Sequence, residues 1–476
     1  MARTSSTLTL QTLNVEDTED ISMIAIAPPP LVAEKTTELD TYLNAYAQTG
    51  RLSGNVIISH GEEPALIRSY GMANREHTVA NIPATKFRIG SITKQFTAAA
   101  ILQLHEQGLV ELQAPISTYL PDYPNGEQMT IHHLLTHTSG IPEYLDGSTF
   151  PDIAEWMRLP STLDQLVERF QDLPLDFDPG ERFQYSNSGY VVLTQIIETV
   201  SGQPYADYVQ THIFAPLGMD HTGYEMPKAV VSNLAQGYLR IGQDLYLQTE
   251  PIDMSLPQGA GGLYSTLGDL GIWQRWLYGN ADAPSLLNPV SKALLITPWV
   301  KMDAPEDGIN AFYGYGLVTD THLERQRIHH SGGINGFLST LMHYPEEDLT
   351  ISLLLNLDNQ PPATIAEGLA AILFGEDYAM PQIQTAVAID PALYTRYVGT
   401  YQLLPELQIR LWVEDEQLMG QATGQGSFAL YPSSETQFFA QVADITIAFS
   451  VADDGTVDGF TLHQLGHELF ATKLDD

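Results

Sequence analysis

The chain has 476 residues, with 21 Lys plus Arg against 58 Asp plus Glu, a formal net charge of −37 and no cysteine. That length suggests two to four domains, or one large α/β domain with a small companion, and the 43% hydrophobic content supplies a sizeable core. The scarcity of Lys and Arg excludes phosphate-tracking nucleic-acid binding and adhesion to an anionic membrane, and without cysteine there is no disulfide, zinc–thiolate site or cysteine nucleophile.

Residues 1–35 are Thr/Ser-rich, then acidic, then proline-rich, and read as a loosely held N-terminal arm. An acidic run at 16–20 precedes the short apolar stretch 21–27, the reverse of a secretory signal. No segment nears the ~18 continuous apolar residues of a membrane span. The chain is therefore expected to be cytoplasmic, or periplasmic or secreted if a leader is missing from the sequence. Leu39, Tyr42, Leu43 and Tyr46 recur at helical spacing. Strand-like runs at 56–58 and 65–67, joined by turn chemistry at 61–64, predict a hairpin.

A helix is predicted over 91–107, with Gly108 closing it. The mixed region 109–325 carries further helices, among them 188–200 and 267–278. Strands are predicted at 337–344 and 350–355, and a helix at 363–374. Pro381 and Pro391 bracket a linker-like stretch. Short alternating segments follow at 397–401, 409–413, 428–431, 438–442, 445–449 and 460–463, punctuated by Gly, Asp and Ser. They predict a small all-β barrel or sandwich. The expected domains are 36–380 and 390–476, with a boundary near residue 385.

Three short motifs carry chemistry. In Ser91-Ile92-Thr93-Lys94, at a helix start, Ser91 and Lys94 stand at i and i+3 and share a face. A serine hydroxyl needs a base to become a nucleophile, and a lysine serves only if burial or a nearby cation lowers its pKa. The helix N-terminus favours a developing oxyanion, and the Ser91 backbone N–H can point at it. Taken alone the pattern also fits a solvated helix face. Tyr185-Ser186-Asn187 precedes the helix near 188 and alone reads as an N-cap. His330-Ser331-Gly332-Gly333 alone reads as a loop whose glycines permit close backbone approach.

Order and spacing combine the three. With the stretches 87–97, 134–142, 183–190, 261–266 and 330–337, the chain resembles the serine β-lactamase and penicillin-binding-protein superfamily over roughly residues 36–375. The branch it resembles holds class C β-lactamases, D-Ala-D-Ala carboxypeptidases, D-aminopeptidases and related esterases. The C-terminal segment, opening with Tyr397-Val398-Gly399-Thr400-Tyr401, resembles the lipocalin-like barrel that follows this domain in many relatives.

The resemblance implies an α+β fold: an antiparallel sheet flanked by helices, a helical insertion, and the nucleophile at their junction. It implies that Ser91 is acylated, that Lys94 is its proton partner, and that Tyr185 is the base or the proton shuttle to the leaving group. Asn187 would hold the acyl-side amide. His330, Ser331 and Gly332 would line the opposite wall, with Ser331 joining the hydroxyl network, and the Ser91 and Gly333 N–H groups would form the oxyanion hole. No cofactor and no metal are implied. The barrel would reach a neighbouring subunit's active-site mouth in a homo-oligomer, or serve only stability. Many relatives carry Lys where this chain has His330, and a largely neutral imidazole anchors a carboxylate less firmly.

The expected function is hydrolysis of an amide or ester in a small-molecule or short-peptide substrate. A peptidase for D-residue or small peptides ranks first, then a carboxylesterase, then a weak β-lactamase. The alternative of another class is a non-catalytic binding or assembly protein on this scaffold. His132, His133 and His137 include an i, i+4 pair, but no Glu lies between those two, and they read as scaffold rather than zinc ligands. His329 is expected to point away from His330, and Trp273 and Trp276 to lie in the core.

Overall fold

A computed structural model describes residues 30–476 apart from 62, 227–228, 242–244, 280–284, 303–309, 359, 382–385, 405–406, 424–426, 441–444, 453, 465–466 and 475–476. The expected arm therefore lies mostly outside the described residues, as does the middle of the expected linker. Residues 30–35 begin helix α1 (Pro30–Gln48), whose Leu39, Tyr42, Leu43 and Tyr46 are all buried. The predicted hairpin is β1 (Gly54–His60) and β2 (Glu63–Tyr70), with Ile57 paired to Ile67. A three-residue 3₁₀ turn, Gly90–Ile92, then leads into helix α2 (Thr93–Glu106). Gly108 follows just past the helix end in the left-handed conformation, at φ +70°.

Four further helices matter to the site: α3 (Ile131–Leu135), α4 (Asn187–Ser201), the short α5 (Gln258–Gly261) and α6 (Leu267–Tyr278). Trp273 and Trp276 of α6 are buried and packed together in the core, 4.7 Å between ring centroids. The chain then enters six strands: β3 (Val300–Lys301), β4 (Phe312–Tyr313), β5 (Val318–His322), β6 (Arg325–Ile334), β7 (Phe337–Tyr344) and β8 (Leu349–Leu355). With β1 and β2 they form one antiparallel eight-stranded sheet in the order β3-β4-β5-β6-β7-β8-β1-β2. Helix α7 (Pro362–Phe374) packs with α1 over one face of it, burying Ile365, Leu369 and Ile372 beside Val56, Ile58, Met342 and Leu353. The larger core, centred on α2, α4 and α6, fills the other face.

The register of β6 places the site. Its partner β5 ends the ladder at Val318–His329, whereas β7 pairs all the way from Ile328 to Ile334. From His330 onward β6 thus has one edge unpaired by the sheet, and Ser91 stands there.

The C-terminal segment is a closed barrel of β9 (Gly399–Leu404), β10 (Leu407–Glu414), β11 (Gln417–Ala422), β12 (Ser427–Pro432), β13 (Gln437–Ala440), β14 (Ile445–Val451), β15 (Val457–Gln464) and β16 (His467–Lys473). Each strand pairs with the next, and Tyr401 of β9 pairs with Lys473 of β16 to close the ring. This is the barrel form expected of a lipocalin-like domain. Two strands, β11 and β16, were absent from the alternating segments. In β11 the inward positions are Leu418, Gly420 and Ala422, two of them too small to mark a hydrophobic stripe.

Candidate active site

The turn bearing Ser91 is held from two sides. Phe87 and Arg88 pair with Ser265 and Tyr264, and the Ile89 N–H donates to Leu263 O at 3.0 Å. On the other side Gly90 adopts φ +51°, and a Cβ there would lie 2.7 Å from the Gly333 nitrogen. A Cβ on Gly332 would sit 2.1 Å from the Ile89 carbonyl oxygen and 3.0 Å from the Ser91 nitrogen. Glycine at both positions is what lets the nucleophile's turn touch the free end of β6. Ser339 Oγ fastens the contact by donating to Ile89 O at 2.8 Å.

Lys94 is fully buried in the first turn of α2. Its Nζ donates to Asn187 Oδ1 at 2.7 Å, to Ala260 O at 2.8 Å and to Ser91 Oγ at 3.2 Å. Short helix α5 brings Ala260 there because Thr97 Oγ1 donates to Gly259 O at 2.6 Å and the Gly259 N–H donates to Thr194 Oγ1 at 3.0 Å. Burial lowers the Lys94 pKa to about 7, against the opposing pull of the Glu143 carboxylate. Two of its acceptors, a carbonyl and an amide oxygen, can only accept. A neutral Lys94 therefore gives its two N–H groups to Asn187 and Ala260 and leaves its lone pair toward Ser91.

Tyr185 and Asn187 flank the α4 N-cap, Ser186, whose side chain accepts from the Gly189 N–H at 3.3 Å. The Tyr185 hydroxyl is sealed from solvent and forms no hydrogen bond of standard geometry. Burial raises its pKa well above the ordinary phenol value, with Ser91 pulling it partway back. Its ring lies 4.8 Å from Lys94 Nζ and packs at a tilt of 33° against the His137 imidazole, 4.2 Å between centroids. His137 holds the left-handed conformation at φ +58° and accepts the Ser186 N–H on Nδ1 at 3.1 Å. Burial keeps it neutral, so its hydrogen is on Nε2.

His330 faces the same space and is also spoken for. Its Nδ1 lies 2.6 Å from the Ser331 carbonyl oxygen, which can only accept, so Nδ1 carries the hydrogen. Its Nε2 then accepts from the Tyr313 hydroxyl at 3.1 Å. Burial, reinforced by the Lys94 charge, lowers the imidazole pKa to about 3. Ser331 is exposed and lines the cavity over Ser91 and Tyr185. It lies on the opposite face of β6, where its hydroxyl reaches Thr340 Oγ1 at 3.5 Å. His329 shares that face and stands 3.2 Å from Asp320.

The structure thus brings together Ser91, Lys94, Tyr185, Asn187, His330 and the Gly332–Gly333 backbone. Two participants escaped the sequence reading: Ala260, just before the quoted stretch 261–266, and Glu143, just after 134–142. The other histidines turn to separate partners, His132 Nδ1 to the Tyr315 hydroxyl at 2.8 Å and His133 Nδ1 to the Thr130 N–H at 3.3 Å. A cavity of about 480 Å³ opens over Ser91 and Tyr185. Met302, Val318, Leu338, Pro361, Pro362 and Ala363 form its apolar wall, and among the described residues no Lys or Arg lines it.

A buried Ser–Lys pair at a helix start, faced by a tyrosine and a glycine-edged strand, is the constellation of an acyl-enzyme hydrolase on an α/β scaffold. The family described as Beta-lactamase matches residues 35–374, and the chain belongs to it as a serine hydrolase. A domain of unknown function, DUF3471, matches residues 384–474. The chain is similar to penicillin-binding protein 4* of Bacillus subtilis, 30% identical over 459 residues that cover 92% of this chain and 99% of that protein. It is similar to the octameric penicillin-binding protein homologue from Pyrococcus abyssi, at 26% identity and TM-score 0.62, covering 91% of this chain and 99% of the other. It also resembles the D-amino acid amidase from Ochrobactrum anthropi SV3, at 25% identity and TM-score 0.60, covering 68% and 91% of the two chains. Among the described residues no helix is long and apolar enough to cross a membrane.

Proposed function

We propose that the chain hydrolyses D-aminoacyl or small peptidyl amides and esters whose scissile bond has no free carboxylate beside it. The observation that carries this reading is the state of His330. It is neutral, and both its nitrogens are already hydrogen-bonded. The apolar wall of the cavity offers no cation in its place. A substrate carboxylate would be desolvated there without a partner, which is costly. The likeness to a D-amino acid amidase supports the acyl preference.

In the proposed cycle neutral Lys94 takes the Ser91 proton as Oγ attacks the carbonyl carbon. The oxyanion is held by the Ser91 and Gly333 N–H groups. Collapse breaks the C–N or C–O bond, and Tyr185 protonates the leaving group, recovering its proton from the Lys94 ammonium. Water then enters and attacks the acyl carbon while its proton passes through Tyr185 to neutral Lys94; collapse breaks the bond from the acyl carbon to Ser91 Oγ, which takes that proton from the Lys94 ammonium. A base role for Tyr185 in the first step runs against its raised pKa. The shuttle role needs the protonated phenol that burial maintains. Asn187 holds Lys94 and retains an amide hydrogen for the acyl-side group.

A panel of a D-aminoacyl p-nitroanilide, a p-nitrophenyl ester and nitrocefin tests the reading. Turnover of the anilide and ester, with nitrocefin slow, is expected. Nitrocefin as the best substrate would contradict it, and inactivity of the folded protein on all three would favour a non-catalytic scaffold. We also propose that residues 36–380 and 390–476 are separate domains, since among the described residues no barrel strand pairs with the sheet. Self-assembly through the barrel is proposed on the likeness to the octameric homologue, and light scattering of the purified chain tests it.

A further inference from the structure

We propose that Glu143 is a positioning residue of this site: its carboxylate orients the Asn187 amide toward Lys94 and sets the pH at which Lys94 accepts the Ser91 proton. The proposal rests on the reading of Lys94 as base.

The geometry is built from both ends. Asn187 presents its backbone N–H to Glu143 Oε2, and its side-chain Nδ2 donates to Oε1 at 3.3 Å. The Leu145 N–H donates to Oε1 at 3.0 Å. A carboxylate accepts and does not donate, so the Asn187 NH₂ must face Glu143 and Oδ1 must face Lys94. Reversing the amide would set its oxygen against a carboxylate and its NH₂ against an amine. The loop is itself pinned to α4: Ser188 Oγ donates to Pro142 O at 2.6 Å and accepts the Tyr144 N–H at 2.9 Å.

The electrostatics point the same way. The groups facing Lys94 are Ser91 on the turn before its helix, Tyr185, Asn187 and Tyr190 at α4, His330 on β6, buried His137, and Glu143. Tyr185, His137 and His330 are neutral, so Glu143 is the negative charge that opposes burial of the ammonium. Facing Glu143 in turn are Lys94, Tyr144 and Tyr185. Burial raises the Glu143 pKa, and the Asn187 and Leu145 amides pull it back. The sign follows. Removing the carboxylate destabilises the Lys94 ammonium, lowers the Lys94 pKa and moves the acid limb of the rate profile to lower pH.

The test is the pH dependence of kcat/KM for p-nitrophenyl ester hydrolysis in wild type, Glu143→Gln and Glu143→Asp, between about pH 5 and 9. The expected result is an acid limb displaced downward by about one pH unit in Glu143→Gln, with Glu143→Asp between it and wild type. A merely structural role would lower the rate without moving the limb. If Glu143→Gln does not fold, Glu143→Asp carries the test, since its retracted carboxylate moves the limb the same way by less. A wild-type limb that neither variant moves overturns this proposal alone. A wild-type profile with no acid limb overturns the base reading beneath it.

Discussion

The Lys94 ammonium nitrogen lies 3.2 Å from Ser91 Oγ and is shut away from solvent, with its other two hydrogens directed at Asn187 Oδ1 and Ala260 O. A side chain so placed has one direction left in which to act. Deprotonation leaves the lone pair facing the nucleophile, and burial puts that deprotonation within reach of neutral pH.

Replacement of Lys94 tests this directly. Lys94→Ala is expected to lower kcat/KM by about 10³-fold or more. Lys94→Arg should fare no better despite keeping the cation, because a guanidinium does not give up its proton. Steady-state kinetics on the ester decide, and an active Arg variant would contradict the base role. In wild type the rate should rise as pH passes through about 7, since the neutral amine is the active form.

Tyr185→Phe separates function from stability. The hydroxyl has only its contact with Ser91 to lose, so its removal should leave the melting temperature nearly unchanged. Turnover should nevertheless fall by about 10²–10⁴-fold through loss of the proton shuttle. A variant that melts early and turns over normally would reverse both halves of the account.

Gly90→Ala strikes the contact between the nucleophile's turn and β6. The new Cβ would meet the Gly333 nitrogen at 2.7 Å, from a backbone at φ +51°. The strain is expected to cost about 1–3 kcal/mol of stability. Displacing the oxyanion donors should lower kcat by about 10²-fold or more. Thermal denaturation and kinetics on the same sample check the two effects together.

Much of this site was legible in the sequence, because Ser91 and Lys94 are one helical turn apart and the remaining motifs keep their order. The helix 267–278 and the strand 337–344 fall where the hydrophobic pattern puts them. What stayed hidden depends on contacts between distant segments. The neutrality of His330 comes from burial and from the charge of Lys94, distant in the chain, and its Nε2 is occupied by Tyr313, 17 positions away. Ala260 contributes a backbone oxygen, which no side-chain pattern announces. Glu143 lies in a loop where a carboxylate would ordinarily be read as solvent-facing. Ser331 shows the limit of the motif from the other side: it lines the cavity over Ser91 as the motif suggests, but strand alternation turns its hydroxyl toward Thr340.

The same strand carries a stability prediction. Arg327 forms a buried two-point pair with Asp320, 2.9 Å from Nε to Oδ1 and 2.6 Å from Nη2 to Oδ2, and also reaches Glu367 at 2.7 Å. Burial alone would raise the Asp320 pKa, but Arg327 and His329 outweigh it and hold the carboxyl far below its usual range. A depressed folded-state pKa means stability that is present above the unfolded value of about 3.9 and lost as pH falls toward the folded one. Asp320→Asn should cost about 3–5 kcal/mol at pH 7, since it leaves a buried guanidinium short of a partner. The loss relative to wild type should shrink in acid. Urea melts at the two pH values check both statements.

The central claim is that Ser91 carries the acyl group and that Lys94 gates its formation. The most direct measurement is intact-protein mass spectrometry of samples quenched during p-nitrophenyl ester turnover, with peptide mapping, across a pH series. The account predicts one acyl adduct, on Ser91, absent from Ser91→Ala, whose rate of formation rises through a single ionisation at about 7. No adduct, an adduct on another residue, or a formation rate indifferent to pH would contradict it.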